Sequence, residues 1–153
     1  MLGGWVEIEL RNQMKLELLS IPGNVRLARV AVAAFVAEVD YNVSDLEEIK
    51  VAVSEAVSNA VTHGYQQKPN GVISITATLF AKSLEIVVQD QGKGIEDLEQ
   101  AFEPTESSDP ERMGLGFAFM RTFMDELNVV SESGQGTTVL MRKKLPGALQ
   151  AES

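Results

Sequence analysis

The sequence predicts an α+β fold, a two-layer α/β sandwich in which a mixed, mostly antiparallel sheet is covered on one face by helices. Three observations predict it. Segments alternating apolar and polar residues at period two, the mark of strands, are interleaved with segments whose apolar residues recur at helical spacing. Their order is strand, helix, helix, hairpin, helix, hairpin, which suits one sheet with its helices on one side. The chain has 153 residues, 44% hydrophobic and 23% charged, enough for one domain core and too little for a second substantial domain.

Two alternating stretches open the chain, Val6-Glu7-Ile8-Glu9-Leu10 and Met14-Lys15-Leu16-Glu17-Leu18. The second leads into the domain. The first, preceded by Gly3-Gly4, reads as part of a leader extension over residues 1–9 with no assigned function, so the domain proper is 10–145 and residues 146–153 are a tail. Pro22-Gly23-Asn24 is a turn with Asn24 placed to cap a helix over 25–39. A second helix starts at Ser44-Asp45-Leu46-Glu47, which fits a capping box, and its apolar residues run Leu46, Ile49, Val53, Ala56, Val57, Ala60 and Val61. Gly64 suits the left-handed position that stops it. After the Pro69-Asn70-Gly71 turn, residues 72–80 and 84–89 form a hairpin. A short helical stretch, an acidic loop over 103–113, a helix over 117–127 and a hairpin of 128–132 with 137–144 complete the order.

Composition excludes several functions. Thirteen Lys+Arg against 22 Asp+Glu give a net charge of −9, which argues against a general nucleic-acid binder or a partner of acidic membranes. The absence of cysteine rules out a disulfide scaffold, a thiol nucleophile and a thiolate metal site. The single histidine, His63, rules out a multi-histidine metal centre. The longest apolar run, 30–37, is far short of the about 20 residues that span a bilayer, and the start has no basic region, so a cytoplasmic protein is expected.

Four features carry chemistry. Glu55, Asn59 and His63 are four residues apart and form one row beside the apolar stripe of the second helix. A glutamate there offers a general base, and an asparagine offers a neutral oxygen to a hard cation. Asp90-Gln91-Gly92-Lys93-Gly94 follows a strand, where a carboxylate can accept from an exocyclic amine and glycines let backbone approach a flat ring. Gly114-Leu115-Gly116 stands at a helix start, where free N–H groups favour phosphate. Gly136-Thr137-Thr138 enters the last strand. Taken singly, each has an ordinary alternative: a solvated helix border, an Asp/Gly turn, a glycine hinge, a hairpin exit.

In this order the four resemble the N box and the three glycine boxes of the GHKL (Bergerat) ATP-binding superfamily, over almost the whole domain. Val53-Ser54-Glu55-Ala56-Val57-Ser58-Asn59 with Thr62-His63-Gly64-Tyr65 is similar to the N box of the anti-sigma serine kinases. The first helix, Ala28-Arg29-Val30-Ala31-Val32-Ala33-Ala34-Phe35, and Gly114-Leu115-Gly116-Phe117 resemble the sporulation branch of that family. The resemblance implies ATP and Mg²⁺ as cofactors. It implies a homodimer that holds a sporulation sigma factor, sigma F, inactive and phosphorylates a serine of its anti-anti-sigma antagonist, with no direct nucleic-acid or membrane contact. It makes Glu55 the catalytic base and Asn59 the Mg²⁺ ligand. Asp90 binds the adenine amine, with Gly92 and Gly94 beside the base and Thr138 near the adenine pocket. Arg112 meets the γ-phosphate, Gly114 and Gly116 present N–H groups to phosphate, and Arg29 contacts protein partners. The loop before Arg112 reads Glu103-Pro104-Thr105-Glu106-Ser107-Ser108-Asp109-Pro110-Glu111 and lacks lysine, so Lys93 or Arg112 must supply more of the charge facing the phosphates. A general-stress anti-sigma kinase and a non-catalytic, nucleotide-bound sequestering module are the alternatives. A detached histidine-kinase module is disfavoured, because His63 lies inside the N box.

Overall fold

The computed structural model describes residues 9–102 and 113–147. In chain order they form β1 (Leu10–Leu19), α1 (Gly23–Phe35), α2 (Val43–Asn59), β2 (Val72–Phe80), β3 (Ser83–Asp90), α3 (Leu98–Ala101), α4 (Met113–Phe123), β4 (Glu126–Glu132) and β5 (Gly136–Lys144). A 3-10 turn, Val36–Glu38, ends α1, and a π-helical turn, Ala60–Gly64, ends α2. The strands make one sheet in the order β1-β2-β3-β5-β4, with helices packed on one face.

All four strand pairings are antiparallel, which corrects the expectation of a mixed sheet for the described residues. The crossover through α3 and α4 does bring β4 back parallel to β3. The β4–β5 hairpin then places β5 between them, so every neighbour contact becomes antiparallel.

Period-two alternation decides what each strand buries. Ile73, Ile75, Ala77 and Leu79 of β2 point into the core, as do Leu84, Ile86 and Val88 of β3 and Val139 and Met141 of β5. Ile49, Val53 and Val57 of α2, Val32 of α1 and Phe117 and Met120 of α4 close over them. Lys143 continues the inward row of β5, where its ammonium donates to the Phe123 carbonyl at 2.8 Å and lies 3.7 Å from Glu48. It thereby satisfies an end carbonyl of α4 and ties that helix to α2 and the sheet.

Several local expectations shift. β1 is one continuous strand with a register irregularity between Leu10 and Asn12. Glu9 adds a carbonyl that accepts from Ala81 at 3.0 Å, and residues 1–8 lie outside the described residues. α1 begins at Gly23, and the Asn24 amide turns back to the Leu19 carbonyl (2.8 Å) instead of capping. α2 is capped by Asn42, whose side chain accepts from the Asp45 N–H at 2.7 Å, so the helix starts ahead of Ser44. Glu47 is then free of the box and pairs with Lys50 at 2.8 Å. α4 covers 113–123 because Glu126 already belongs to β4.

Candidate functional site

The inward row of β3 ends on a carboxylate. Leu84, Ile86 and Val88 are followed in phase by Asp90, only 6% exposed. Thr137 of β5 is its cross-strand partner. Above them stand Asn59 at the end of α2, His63 and Gly64 of the π turn, and Met113, Gly114 and Phe117 of α4. With Lys93, Gly94 and Ile95 these residues line a cleft of about 780 Å³. That volume and mixed lining suit a small-molecule ligand.

The π turn shapes the inner wall. The Tyr65 N–H reaches back five residues to the Ala60 carbonyl at 2.9 Å. Gly64 lies against Asp90, where a Cβ would come within 2.9 Å of Oδ1. Gly64 is therefore required for close approach, not for a left-handed stop. Gln66 and Gln67, with φ of 53° and 62°, take the left-handed positions.

Burial pushes the Asp90 carboxyl up from its ordinary value, and the backbone N–H groups of Gly92 and Thr137 partly oppose this by favouring the charged form. The Gly92 N–H donates to Oδ1 at 2.8 Å. The loop that follows is held from two sides. From the α2 end, the Tyr65 hydroxyl accepts from the Gln91 N–H at 2.7 Å and donates to the Val72 carbonyl at 2.6 Å, while the Gly64 carbonyl accepts from the Lys93 N–H at 2.9 Å. From the β4–β5 hairpin, the Gly134 N–H donates to the Lys93 carbonyl at 2.6 Å and Ser131 Oγ accepts from the Ile95 N–H at 2.8 Å. Gly92 itself packs on the Gly64 carbonyl and does not line the cleft; Gly94 does.

Gly94 has φ of +75°, and a Cβ there would run into the Glu132 carbonyl. Gly134 has a similar φ of +80° but nothing within 4 Å of a Cβ. The pair gives an internally controlled expectation. Gly134→Ala should cost about 1 kcal/mol, the strain of a left-handed alanine. Gly94→Ala should cost about 2 kcal/mol more, because the loop must leave the hairpin. Denaturant midpoints of the two variants check this, and equal losses would refute the close-approach argument.

Asn59 and His63 of the predicted row face the cleft, and His63 is buried. Glu55, half-buried, stands one turn earlier, against α4: a Cβ on Gly116 would come to 2.8 Å from Glu55 Oε1 and 3.6 Å from both amide atoms of Asn59. Gly116 thus lets the first turn of α4 approach the Glu55–Asn59 row, while Gly114 lines the cleft. Asn59 Nδ2 is buried with no hydrogen-bond partner among the described residues. The amide can turn to present its oxygen, so this end of the cleft fits a hard cation such as Mg²⁺ as one of several oxygen ligands. Among the described residues no cluster of three or more acidic or histidine side chains could hold a metal on its own.

Besides Gly92, one predicted site residue lies off the cleft and one lies outside the described residues. Thr138 pairs with Gln89 and Val130, both exposed, and so lies on the open face of the sheet; Thr137, one residue earlier, lines the cleft. The buried phase of Val139 and Met141 carries that signal in the sequence, since residues two apart share a face. Arg112 and the loop 103–112 lie outside the described residues. Arg29 sits on α1, away from the cleft lining, near exposed Leu27 and Val30. Among the described residues no helix is long and apolar enough to cross a membrane.

Comparison with known proteins places these features in context. Residues 19–143 match the model of the histidine kinase-like ATPase domain. The chain is 47% identical over 136 residues to an anti-sigma F factor of Clostridium novyi, covering 88% of this chain and 95% of the relative. It is 44% identical over 138 residues to an anti-sigma F factor of Anoxybacillus flavithermus, covering 89% and 94%. Among solved structures it resembles the crystal structure of the RsbU and RsbW domains of a Mycobacterium tuberculosis protein, with a TM-score of 0.65 and 25% identity. That match covers 88% of this chain and 32% of the mycobacterial one.

Proposed function

The chain belongs to the anti-sigma F factors, within the family of the histidine kinase-like ATPase domain, and from that membership we propose that it is an ATP-dependent serine kinase that also sequesters a sigma factor. In this reading it holds a sporulation sigma factor, sigma F, inactive and phosphorylates a serine of the anti-anti-sigma protein that would release it.

The observation that carries the reading is one continuous cleft with two chemically distinct ends. The inner end has the Asp90 carboxylate, Gly94 and Thr137, which suit an exocyclic amine on a flat ring. The other end has the first turn of α4 and the Asn59 amide, with Glu55 beside them, which suit phosphates and a reacting hydroxyl.

The proposed step follows from these groups. Adenine lies toward Asp90, and the phosphates lie toward Gly114 and the N–H groups of the first turn of α4. Mg²⁺, when bound, neutralises phosphate charge, with Asn59 as its protein ligand. The antagonist's serine oxygen attacks the γ-phosphorus, the bond from that phosphorus to the β–γ bridging oxygen breaks, ADP leaves, and the serine proton passes to the Glu55 carboxylate. Phosphoryl transfer needs mainly positioning and charge neutralisation, which this inventory supplies. Lys93 is the cation among the described residues that lines the cleft.

Partner binding is proposed at a different surface. Leu19 and Val72 form an exposed cross-strand pair on the β1 edge, and Leu27 and Val30 are exposed one turn apart on α1 beside Arg29. Exposed apolar groups of this kind suit a homodimer or a protein partner.

The test is phosphate transfer. The purified protein, Mg²⁺, γ-labelled ATP and the candidate antagonist are mixed and the label is followed. Acid-stable label on an antagonist serine is expected. Bound ATP without transfer would reject the kinase and favour a sequestering module.

A further inference from the structure

Ser131 of β4 does not line the cleft, yet its hydroxyl governs one that does. Ser131 Oγ accepts from the Ile95 N–H at 2.8 Å, lies 3.0 Å from the Gly136 carbonyl oxygen and 2.7 Å from Thr137 Oγ1. A serine hydroxyl carries one proton. The Ile95 N–H can only donate and the Gly136 carbonyl can only accept. The Ser131 proton therefore goes to Gly136, and the 2.7 Å contact requires the proton of Thr137. Only this arrangement satisfies all three contacts.

The Thr137 hydroxyl then spends its proton away from the cleft and offers it lone pairs alone. Its cross-strand partner Asp90 is a carboxylate, also an acceptor. Two acceptors side by side favour a ligand group with two hydrogens to give and repel a carbonyl oxygen. Resting on the nucleotide reading above, we infer that Ser131 is a specificity-determining residue: by fixing Thr137 as an acceptor, it makes the inner end of the cleft take an amino-purine and reject an oxo-purine.

The experiment compares binding of ADP and inosine diphosphate by calorimetry; the two differ in that amine and carbonyl and, with them, at N1, an acceptor in adenine and an N–H in hypoxanthine. The wild type should prefer ADP. Ser131→Ala frees the Thr137 proton to meet a carbonyl, so the preference should fall about tenfold. Ser131→Thr keeps the hydroxyl and should keep the preference. Thr137→Val removes the second acceptor and should lower the preference by a similar factor, which also covers the case in which Ser131→Ala fails to fold. A Ser131→Ala variant that binds both nucleotides more weakly by the same factor would show only loop support through Ile95 and overturn the inference. So would a Thr137→Val variant with unchanged preference. A wild type that binds neither nucleotide would reject the nucleotide reading itself; one that binds both equally would leave that reading standing and overturn only this inference.

Discussion

Glu55→Gln should reduce phosphoryl transfer to the antagonist serine by about 100- to 10,000-fold, the range spanned by a positioned general base. ADP affinity should stay within about twofold of wild type, because Glu55 is not among the residues lining the cleft. The substitution preserves volume, which matters where Gly116 brings α4 against the carboxylate: a Cβ on that glycine would come within 2.8 Å of Glu55 Oε1. Packing is thereby kept while the proton acceptor is lost. Single-turnover transfer, measured beside calorimetric ADP binding, separates the two. Transfer at the wild-type rate would remove Glu55 from the mechanism.

Asp90→Asn should pull binding and stability in opposite directions. The native carboxylate accepts from two backbone N–H groups, those of Gly92 and Thr137. An asparagine has one oxygen left for these donors, so its NH₂ must face the purine amine, donor against donor. Adenine-nucleotide affinity should fall by about 2 kcal/mol or more, roughly thirtyfold.

Stability follows the sign of the pKa shift. Asp90 is raised in the folded state, with burial the leading cause. Between its unfolded and folded values the native protein holds the proton more tightly, so stability falls as pH rises through that window. Below the unfolded value the burial cost is absent; above the folded value it is fully present. Asp90→Asn should then be at least as stable as wild type at neutral pH, and its advantage should shrink as pH falls and Asp90 protonates. Thermal midpoints of both proteins at neutral and acid pH check this. A variant less stable at neutral pH would mean that the backbone donors outweigh burial.

Much of the architecture was legible in local pattern. The alternation over 72–80 and 84–89 appears as β2 and β3 with the expected faces inward. The Asp-x-Gly-x-Gly stretch follows a strand directly, so the carboxylate lies at the end of a core-facing row. Helical spacing likewise set the apolar stripe of α2 and put Glu55, Asn59 and His63 along one border. The caps were less legible. Asn42 takes the capping role expected of Ser44, and α1 starts at Gly23 with no side-chain cap, because where a helix begins depends on where the preceding chain enters. Thr137 and Thr138 are chemically identical neighbours; the phase of Val139 and Met141 puts Thr137 on the core face, and register against Asp90 then sets it beside the carboxylate.

The amino-acid sequence by itself determined the element types, the faces they bury and the order of four short motifs, because these depend on periodicity and on residue chemistry within a few positions. Tertiary structure decided what meets what. It inserted β5 between β3 and β4 and made every pairing antiparallel. It brought Gly64 against Asp90 through a π turn, and set Gly116 against Glu55. It also set the Thr137 hydroxyl against that of Ser131, 2.7 Å apart. These contacts join residues distant along the chain, and they are selected by packing and by the pairing of buried polar groups, which no local window of sequence contains.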